Sequence, residues 1–567
     1  AEYEEASELE YEEVEVDNLF AQNSEGSYVF DSIEDLRNAT ASGLLYDNAV
    51  TNDENDLRAI WGYNSNSLYI QDSWDVNGYL TIDAGLRYDW YESEGQIREN
   101  QNFVDRYGYS NANDIDGLDV ILPRVSFKWL ATADLTVRGG LGRFSGGAPG
   151  VWISNSYSND GVISDGLSVD GPINVPTTPD PATGQYIPLD VLNTLATEAP
   201  DGSVNALRPD FEIPTTWKLS LGAAYAVDIP YLGEDWLLSG DFLYNKLENA
   251  SYWYDQRCEN PVGTAPDGRG VYDCSNGPEA IAVGSVDDGD GMLLAFSASN
   301  DWDTDYGRFD MFTSYTYADV EDVGYGTSST ATSNYSDFAA YDRQKPRAGT
   351  SNYQTEHLAK VRFNWSKEIV NGYQTKVSVF ATRRSGQPYS YTFNENNACV
   401  LDVGGGRCAR ESRNDDAGHL LYVPTGVNDP LFAASSFGGD AAAQQEFFNY
   451  INSSELGQYA GGIAPRNGDN SRWSTIIDLR IQQELPAINE DHKFLLFFDI
   501  ENFGNLLNSD WGRVERTRYE YERAVVSASI VDGQYEYFSL RNPDSIKNLE
   551  VLSQSVWQIQ FGLKYEF

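Results

Sequence analysis

The sequence is poor in the residues on which most enzymes and metal sites depend. It contains 3 histidines, 2 methionines and 4 cysteines among 567 residues, which leaves little for acid–base or transition-metal chemistry. His357, His419 and His492 are far apart in the chain, and no glycine-rich phosphate loop is followed by a helix. We therefore assign no catalytic residue, no cofactor and no enzymatic activity.

Positive charge is also scarce. Lys and Arg number 38 against 87 Asp and Glu, so that the net charge is -49. Phosphate backbones are bound by basic surfaces, and this balance excludes a nucleic-acid partner. The acid is concentrated in stretches such as "YEEASELEYEEVEV" at 3–16 and "DDGDG" at 287–291, which we interpret as solvated surface. The alternative is a loop cation such as calcium bound by Asp287, Asp288 and Asp290, although the EF-hand spacing is missing.

The sequence has no long hydrophobic run. None approaches the roughly 20 apolar residues of a membrane-spanning helix, and the mean hydropathy is -0.47. This excludes a helical membrane protein. It does not exclude a membrane β-barrel, because the strands of such a barrel alternate between apolar and polar residues.

Alternation with period two is what the sequence has in abundance. At 79–90, 123–129, 217–225, 359–365 and 556–567, apolar residues occupy one parity and polar residues the other. The polar parity carries many charges, which a dry sandwich core would not tolerate. The pattern predicts an all-β fold over 1–567, a transmembrane antiparallel β-barrel with about sixteen strands.

The polar parity of these strands is predicted to face the lumen of the barrel. Its main interpretation is a solvated wall, or one that contacts a plug, and its alternative is a role in selectivity or plug docking. The charged residues assigned to it are Arg87, Asp89, Arg124, Lys128, Arg138, Lys360, Arg362, Asp478 and Arg480.

Short and long connections alternate along the chain, as they do in outer-membrane barrels. If the short turns are periplasmic, the last strand runs inward and places Phe567 at the periplasmic rim. We expect the last strand to close the wall against an earlier strand, because an open edge in lipid leaves backbone groups unpaired. The long segments, predicted as extracellular loops, lie near 21–58, 92–118, 147–213, 251–288, 322–352 and 395–472.

Three of the predicted strands need comment. In 8–20 the apolar face changes parity near residue 12, which predicts a β-bulge or a later start of the strand. The segments 514–531 and 534–540 are both counted as wall strands.

The long loops carry aromatic residues and all four cysteines. Aromatic rings beside Asp and Asn are able to stack on a sugar or planar ligand, to form a compact loop cap or to contact a partner protein. The aromatic residues considered for ligand binding are Trp152, Tyr157, Tyr252, Trp253, Tyr254 and Tyr335. Local pairing of Cys258 with Cys274 and of Cys399 with Cys408 predicts two disulfides, and hence an oxidising compartment.

An ordered set of motifs resembles a known family. "LYIQDSWDVNGYLTIDAGLRYDW" at 68–90 and "PRVSFKWLATADLTVRGGLGRFSGG" at 123–147 resemble consecutive hairpins of TonB-dependent outer-membrane transporters. "STIIDLRIQQELP" at 474–486 and "FFDIENFGNLLNSDWG" at 497–512 resemble the late barrel of its Oar-like branch, which "LLYVP" at 420–424 and "APRNGDNSRW" at 464–473 also fit. The terminal "FGLKYEF" resembles the C-terminal aromatic signal, ending at Phe567, that the barrel-assembly machinery reads.

The resemblance implies energised import or export of an unnamed cargo through a bacterial outer membrane, with the TonB complex as partner. The family barrel has about 22 strands and a plug, neither of which is complete here. We therefore expect the C-terminal part of a longer chain that lacks the plug and the first strands. A self-contained 16-stranded porin-like channel, or a surface barrel whose loops hold partner proteins, are the alternatives.

Overall fold

The computed structural model describes residues 3–19, 21–197, 201–370, 372–395, 400–403, 418–489, 492–541 and 548–567. Within them, fourteen long strands form one antiparallel sheet, here called the wall, and each strand pairs with the next one in chain order. The strands are β1 (Tyr3–Asn18), β2 (Ala59–Asn77), β3 (Leu80–Glu94), β4 (Asp119–Leu130), β5 (Leu135–Ser145), β6 (Thr215–Ile229), β7 (Gly233–Glu248), β8 (Asp290–Thr304), β9 (Gly307–Asp322), β10 (His357–Val370), β11 (Tyr373–Arg384), β12 (Ser474–Pro486), β13 (Lys493–Glu501) and β14 (Gln558–Glu566).

The register of the wall sorts its side chains onto two faces. In the β6–β7 hairpin, Gly222 lies opposite Asp241, and on the other side Gly222 lies opposite Arg138 of β5. Charged residues of neighbouring strands therefore meet on one face, here called the polar face. The other face is apolar and exposed along the sheet: Phe296 is 57% and Leu563 is 61% exposed. An exposed apolar face of this extent is typical of a surface that contacts lipid.

Strand β1 pairs with β2 without a register shift, from Tyr3 opposite Trp74 to Asn18 opposite Ala59. The predicted bulge or late start near residue 12 is therefore wrong. The polar-face parity of β1 includes Glu8, Glu10 and Glu12, and Glu10 forms an ion pair with Arg87 at 2.7 Å. Farther along the same parity, Val16 packs against buried residues of the loops. The face changes from acidic to apolar because its surroundings change along the strand.

Connections of two lengths separate the wall strands and leave its opposite ends. Six short connections at one end comprise residues 78–79, 131–134, 230–232, 305–306, 371–372 and 487–492. Seven long connections leave the other end, and we call them L1 (19–58), L2 (95–118), L3 (146–214), L4 (249–289), L5 (323–356), L6 (385–473) and L7 (502–557). The alternation predicted from sequence is confirmed for the first six loops.

The seventh loop replaces two predicted wall strands. Instead of spanning the wall, Glu522–Val531 and Gln534–Phe538 join Pro388–Phe393 and Asp469–Asn470 in a separate sheet built from L6 and L7. The prediction of wall strands at 514–531 and 534–540 is therefore wrong, and the described residues contain fourteen long wall strands rather than sixteen. Burial explains the error, because Ala524 to Ala528 are buried on both parities.

The long loops contain the remaining short elements. Their other strands are Ser27–Val29, Thr40–Ala49, Ser164–Asn174, Val204–Leu207, Ala250–Asp255, Pro261–Thr264, Gly270–Asp273, Ala280–Val286, Gly349–Thr350, Asp402–Val403, Tyr422–Val423, Gly462–Ile463, Glu515–Arg516 and Leu549–Glu550. The α-helices are Ile33–Arg37, Gln101–Tyr107, Gly150–Ser158, Leu189–Thr197, Ala331–Ser336, Ala441–Ser453, Phe503–Leu507 and Leu552–Ser555. None of the helices in the described ranges has the length and apolar character needed to cross a membrane.

Candidate functional site

The long loops pack together into one folded layer, here called the cap, which consists of the described residues of L1–L7. Its largest hydrophobic cluster combines residues of L4, L6 and L7, among them Ala265, Phe393, Phe447 and Tyr537. Phe393 and Phe447 are 0% exposed. Burial of this many large side chains is the main source of stability for a layer built from loops.

Short sheets connect loops that are distant in sequence. In L6 and L7, Ser390 lies opposite Glu522 in a parallel pair of strands. In L3 and L4, Val204 lies opposite Ala280, again in parallel. Parallel pairing between separate loops fixes their relative positions by backbone hydrogen bonds. The cap is therefore a folded unit rather than a set of independent loops.

The cap is seated on the upper end of the polar face. Trp61, Tyr91 and Leu122 belong to the polar-face parity of β2, β3 and β4, and all three are buried against the loops. The ring of Tyr157 in L3 stacks on Trp61, with a centroid distance of 4.6 Å and an angle of 10°. The polar face thus ends in an apolar zone that the cap covers.

The loop aromatic residues that the sequence singled out lie in the core of the cap. Tyr157, Tyr252, Trp253 and Tyr335 are at most 6% exposed. Trp152 meets Trp253 edge-to-face at 4.8 Å and donates its indole N–H to the Ser328 carbonyl oxygen. This arrangement corresponds to the compact-cap alternative. Tyr254 is half-buried, with the Arg208 guanidinium 4.6 Å from its ring centroid. Ligand stacking by these residues stays a prediction.

One of the two predicted disulfides is formed. Cys258 and Cys274 are bonded within L4, and both are fully buried beside Tyr272. Asp255 lies close enough to both sulfurs to suggest a metal-binding group, but bonded sulfurs offer no thiolate. Cys399 and Cys408 lie outside the described residues, so their pairing stays a prediction.

Replacing Cys258 and Cys274 together by alanine is expected to destabilise the cap by about 3 kcal/mol. A disulfide that closes a short loop lowers the entropy of the unfolded chain by about this amount of free energy. The bond links residues that are 16 apart in sequence. Limited proteolysis of L4 at increasing urea concentration measures the change. A reductant should shift the unmodified protein in the same direction and shift the variant less, because the variant retains at most the predicted Cys399–Cys408 bond. Equal stability of the two proteins under oxidising conditions would contradict the expectation.

Buried ion pairs join the loops of the cap. Arg269 of L4 is fully buried, forms an ion pair with Asp267 at 2.6 Å and donates to the carbonyl oxygens of Tyr341 in L5 and Leu420 in L6. The Tyr272 hydroxyl of L4 donates to Asp342 of L5 at 3.0 Å. A buried charge is tolerated only where such partners surround it. The contacts therefore specify how L4, L5 and L6 meet.

Two acids with opposite pKa shifts lie between L6 and L7. Burial alone would raise the pKa of Glu395, but His419 and the backbone N–H groups of Val400 and His419 outweigh burial and lower it to about 2. Burial, with the Glu395 carboxylate as a smaller contribution, raises the pKa of Glu522 to about 7. The Glu522 carboxylate accepts from the Thr392 hydroxyl at 2.9 Å and the Gly418 N–H at 2.8 Å.

A polar cavity of about 260 Å³ lies where L5, L6 and L7 meet the upper rim of the wall. Three arginines line it: Arg384 at the end of β11, Arg472 just before β12, and Arg516 in L7. Arg384 lies on the polar-face parity, opposite Ser474, and its Nε donates to the Ser474 hydroxyl at 3.3 Å. Hereafter we call this cavity the arginine pocket.

The acidic segment at 287–291 uses its carboxylates to connect loops. Asp287 accepts from the Asn249 N–H at 2.9 Å, and Asp288 accepts from the Ala348 N–H at 2.8 Å. The Tyr244 hydroxyl hydrogen-bonds to Asp290. Calcium binding by these three residues stays a prediction.

The histidines lie in three separate surroundings. His357 stacks on Trp473 at the rim of the apolar face, His419 contacts Glu395 in the cap, and His492 contacts Tyr565 at the short-turn end. Phe567 follows the last wall strand at the same end and is 92% exposed. Its role in barrel assembly stays a prediction.

Most of the charged residues predicted on the polar face make contacts along it. Arg138 pairs with Asp241 at 2.6 Å, Arg362 with Asp310 at 3.1 Å, and Arg480 with Asp499 at 3.3 Å. Arg87 also pairs with Asp89, and Arg124 donates to Gln71. Asp478 accepts a hydrogen bond from the Asn502 N–H. Of the two lysines in the set, Lys128 is exposed and Lys360 is half-buried. A role in selectivity or plug docking stays a prediction.

The family model of the outer membrane beta barrel domain matches residues 9–510, which is most of the chain. The chain belongs to this family. Membership places the protein in an outer membrane, where the apolar face of a β-barrel contacts lipid. No curated protein matches the sequence.

Several solved structures are similar to this β-barrel. The ferric preacinetobactin receptor from Acinetobacter baumannii has 10% sequence identity and a TM-score of 0.36, over 90% of this chain and 44% of the receptor. The outer membrane transporter YddB from Escherichia coli has 10% sequence identity and a TM-score of 0.40, over 90% of this chain and 46% of the transporter. The FrpB iron transporter from Neisseria meningitidis has 8% sequence identity and a TM-score of 0.35, over 89% of this chain and 46% of the transporter. The chain spans less than half the length of these proteins.

Sequence reasoning missed the arginine pocket. Arg384 continues the polar parity of β11, in "ATRRSG" at 381–386, so its face was predictable. Arg472 and Arg516 lie in "SRW" and "RVERTR", and nothing local shows that these segments meet. The available signal was a concentration of arginine next to wall strands in a chain otherwise poor in cations.

Proposed function

We propose that this chain is the barrel portion of a TonB-dependent outer-membrane receptor of the Oar-like branch, which moves a cargo recognised by the cap. The cap is the observation that carries the proposal. Seven long loops fold into one layer over the upper end of the polar face, whereas the opposite end has short turns. Such a barrel offers a recognition surface at one end and obstructs free passage there.

The orientation follows from the same asymmetry. Long loops are extracellular and short turns periplasmic in outer-membrane barrels, so we propose that the cap is outside and Phe567 is periplasmic. The buried Cys258–Cys274 bond in the cap agrees with an outer-membrane location, because both the cell surface and the periplasm are oxidising. By resemblance, the barrel-assembly machinery would read the C-terminal aromatic strand, and TonB would supply energy through a plug.

Two measurements on the native full-length protein, purified from outer membranes, test the proposal. The purified periplasmic domain of TonB should bind it in a pull-down, and a planar bilayer should record no steady ion current through it. A passive channel would conduct steadily and ignore TonB, which would overturn the proposal in favour of a porin. Failure of TonB binding without a current would favour a surface scaffold and equally overturn energised transport.

A further inference from the structure

We propose that the arginine pocket binds an oxyanion group, a carboxylate or a phosphate, carried by the cargo. The inference deepens the proposed function, and the role of the pocket as a cargo subsite rests on that function. It gives the cargo a chemical class that neither the family nor the fold specifies. The argument depends on charge pairing, on the origin of the lining residues and on the size of the cavity.

Many arginines of this acidic protein form ion pairs with carboxylates. Acidic residues outnumber Lys and Arg by 87 to 38, so most cations can find a carboxylate at little cost. Arg513, three residues before Arg516, pairs with Asp510 and Glu550. Arg480, on the same strand as Ser474, pairs with Asp499. By contrast, ion pairs to described residues are absent for all three pocket arginines, Arg384, Arg472 and Arg516.

Clustering makes this lack of ion pairs informative. Three guanidinium groups around one cavity repel each other unless an anion lies between them. Glu515 also lines the cavity, but within the described part of the chain it forms an ion pair with none of the three. Carboxylates are abundant in this sequence, and placing one here would have been easy. A site that keeps three arginines together without an ion pair to a protein carboxylate is suited to an external anion.

The pocket is assembled from four segments that the cap brings together. L5 contributes 352–355, the end of β11 and the start of L6 contribute 384–387, the approach to β12 contributes Arg472 and Ser474, and L7 contributes 514–516. The Arg384 side chain is fixed by its bond to Ser474. Arg472 and Arg516 are exposed, and the Arg516 guanidinium donates to the neutral side-chain oxygen of Gln554 at 3.4 Å.

The remaining lining fits an oxyanion. Asn352, Gln354 and Gln387 offer side-chain amides, and Thr355 and Ser385 offer hydroxyls, all of which can donate hydrogen bonds. A guanidinium presents a planar fork of N–H donors that matches a carboxylate or a phosphate in a bidentate manner. A volume of about 260 Å³ admits such a group with a few attached atoms rather than a whole large cargo. The pocket would therefore fix one anionic end of the cargo at the rim.

The test measures binding of inorganic phosphate to the purified full-length protein in detergent, by broadening of the phosphorus-31 resonance. We expect saturable binding that weakens with salt. Each of Arg384→Gln, Arg472→Gln and Arg516→Gln should weaken it about fivefold, and the triple variant should abolish it. Competition by acetate would assign the pocket to carboxylates as well, and competition by sulfate alone would restrict it to tetrahedral oxyanions.

Arg383→Gln is the matched control. It makes the same charge change one residue away, but Arg383 lies on the apolar face, with its guanidinium 5.3 Å from the Trp473 ring centroid. Phosphate binding should not change in this variant. Equal binding by the triple variant and the unmodified protein, or an equal loss in Arg383→Gln, would overturn the proposal. Because the assay contains no TonB and no energy source, its result is separate from the test of energised transport.

Discussion

Replacing Phe393 by alanine is expected to loosen the cap while leaving the wall folded. Phe393 is completely buried, and its ring packs against Tyr535 at a centroid distance of 5.4 Å. The Arg269 guanidinium lies 5.8 Å from the same ring. Truncation of a buried phenylalanine typically lowers the free energy of unfolding by about 3–5 kcal/mol. Here the loss would be confined to a layer whose core is separate from the lipid-facing surface.

Hydrogen exchange of the full-length protein, resolved by peptide, is the measurement for this variant. Amides of Tyr422–Val423 and Glu522–Val531 should exchange much faster, whereas amides of β5–β7 should keep their protection. Phe296→Ala makes the same chemical change on the apolar face of β8 and should leave the cap protected. If wall and cap lost protection together, they would form one cooperative unit and the prediction would be wrong.

The wall could be predicted from sequence because one pattern is sustained over long strands. Period-two alternation identified β3, β4 and β6 and placed Arg138, Arg362 and Arg480 on the charged face. The same pattern failed in L7, because a strand in the cap core also consists of small and apolar β-formers. Alternation in the sequence predicts which face of a strand a residue lies on. It does not predict whether an apolar face contacts lipid or is buried in the core of the cap.

The cap could not be predicted, since its defining contacts join distant segments. Thr392 and Glu522 are in direct contact although they are 130 residues apart. The parallel strands that contain them are largely buried on both parities, so no alternation of apolar and polar residues marks them in the sequence. The loop aromatics show the same limit: their composition suggested a binding surface, and their packing partners were visible only in three dimensions.

The arginine pocket has one part that the sequence predicts and one part that it does not. Arg383 and Arg384 are neighbours in sequence, and the alternation of a strand sends one to the apolar face and the other to the polar face. That difference was readable from parity. The meeting of Arg384 with Arg472 and Arg516 depends on how L6 and L7 fold, and so the anion subsite belongs to the unpredictable part of the molecule.

The stability of the cap is expected to fall as the pH rises from about 5 to 8, because of Glu522. Its pKa, 4.5 in an ordinary glutamate, is raised to about 7 in the folded cap. Between these values the folded carboxyl keeps a proton that the unfolded chain has released, so the unfolded state binds fewer protons and stability decreases with pH. The stabilising contribution of Glu522 is fully present below about pH 4.5 and is lost above about pH 7. The free energy of unfolding of the cap then falls by up to about 3 kcal/mol.

Glu395 acts in the opposite direction and in a different window. Its folded pKa of about 2 means that it stabilises the cap above about pH 4.5 and that this stabilisation is lost as the pH falls toward 2. The charged groups that influence Glu522 are Arg343 of L5 and Glu395 of L6. Both remain charged between pH 5 and 8, so Glu522 dominates the slope among these three residues.

Glu522→Gln should remove this slope and make the cap more stable at pH 8 than the unmodified cap. Glutamine keeps an acceptor for the Thr392 hydroxyl and the Gly418 N–H without carrying a buried charge. Hydrogen exchange at pH 5 and pH 8, corrected for the intrinsic rates of amide exchange, gives the change in each protein. Glu455→Gln, at an exposed carboxylate of L6, should retain the slope. A slope that survives in Glu522→Gln would assign the pH dependence to another group, because only the titration of this carboxyl is removed.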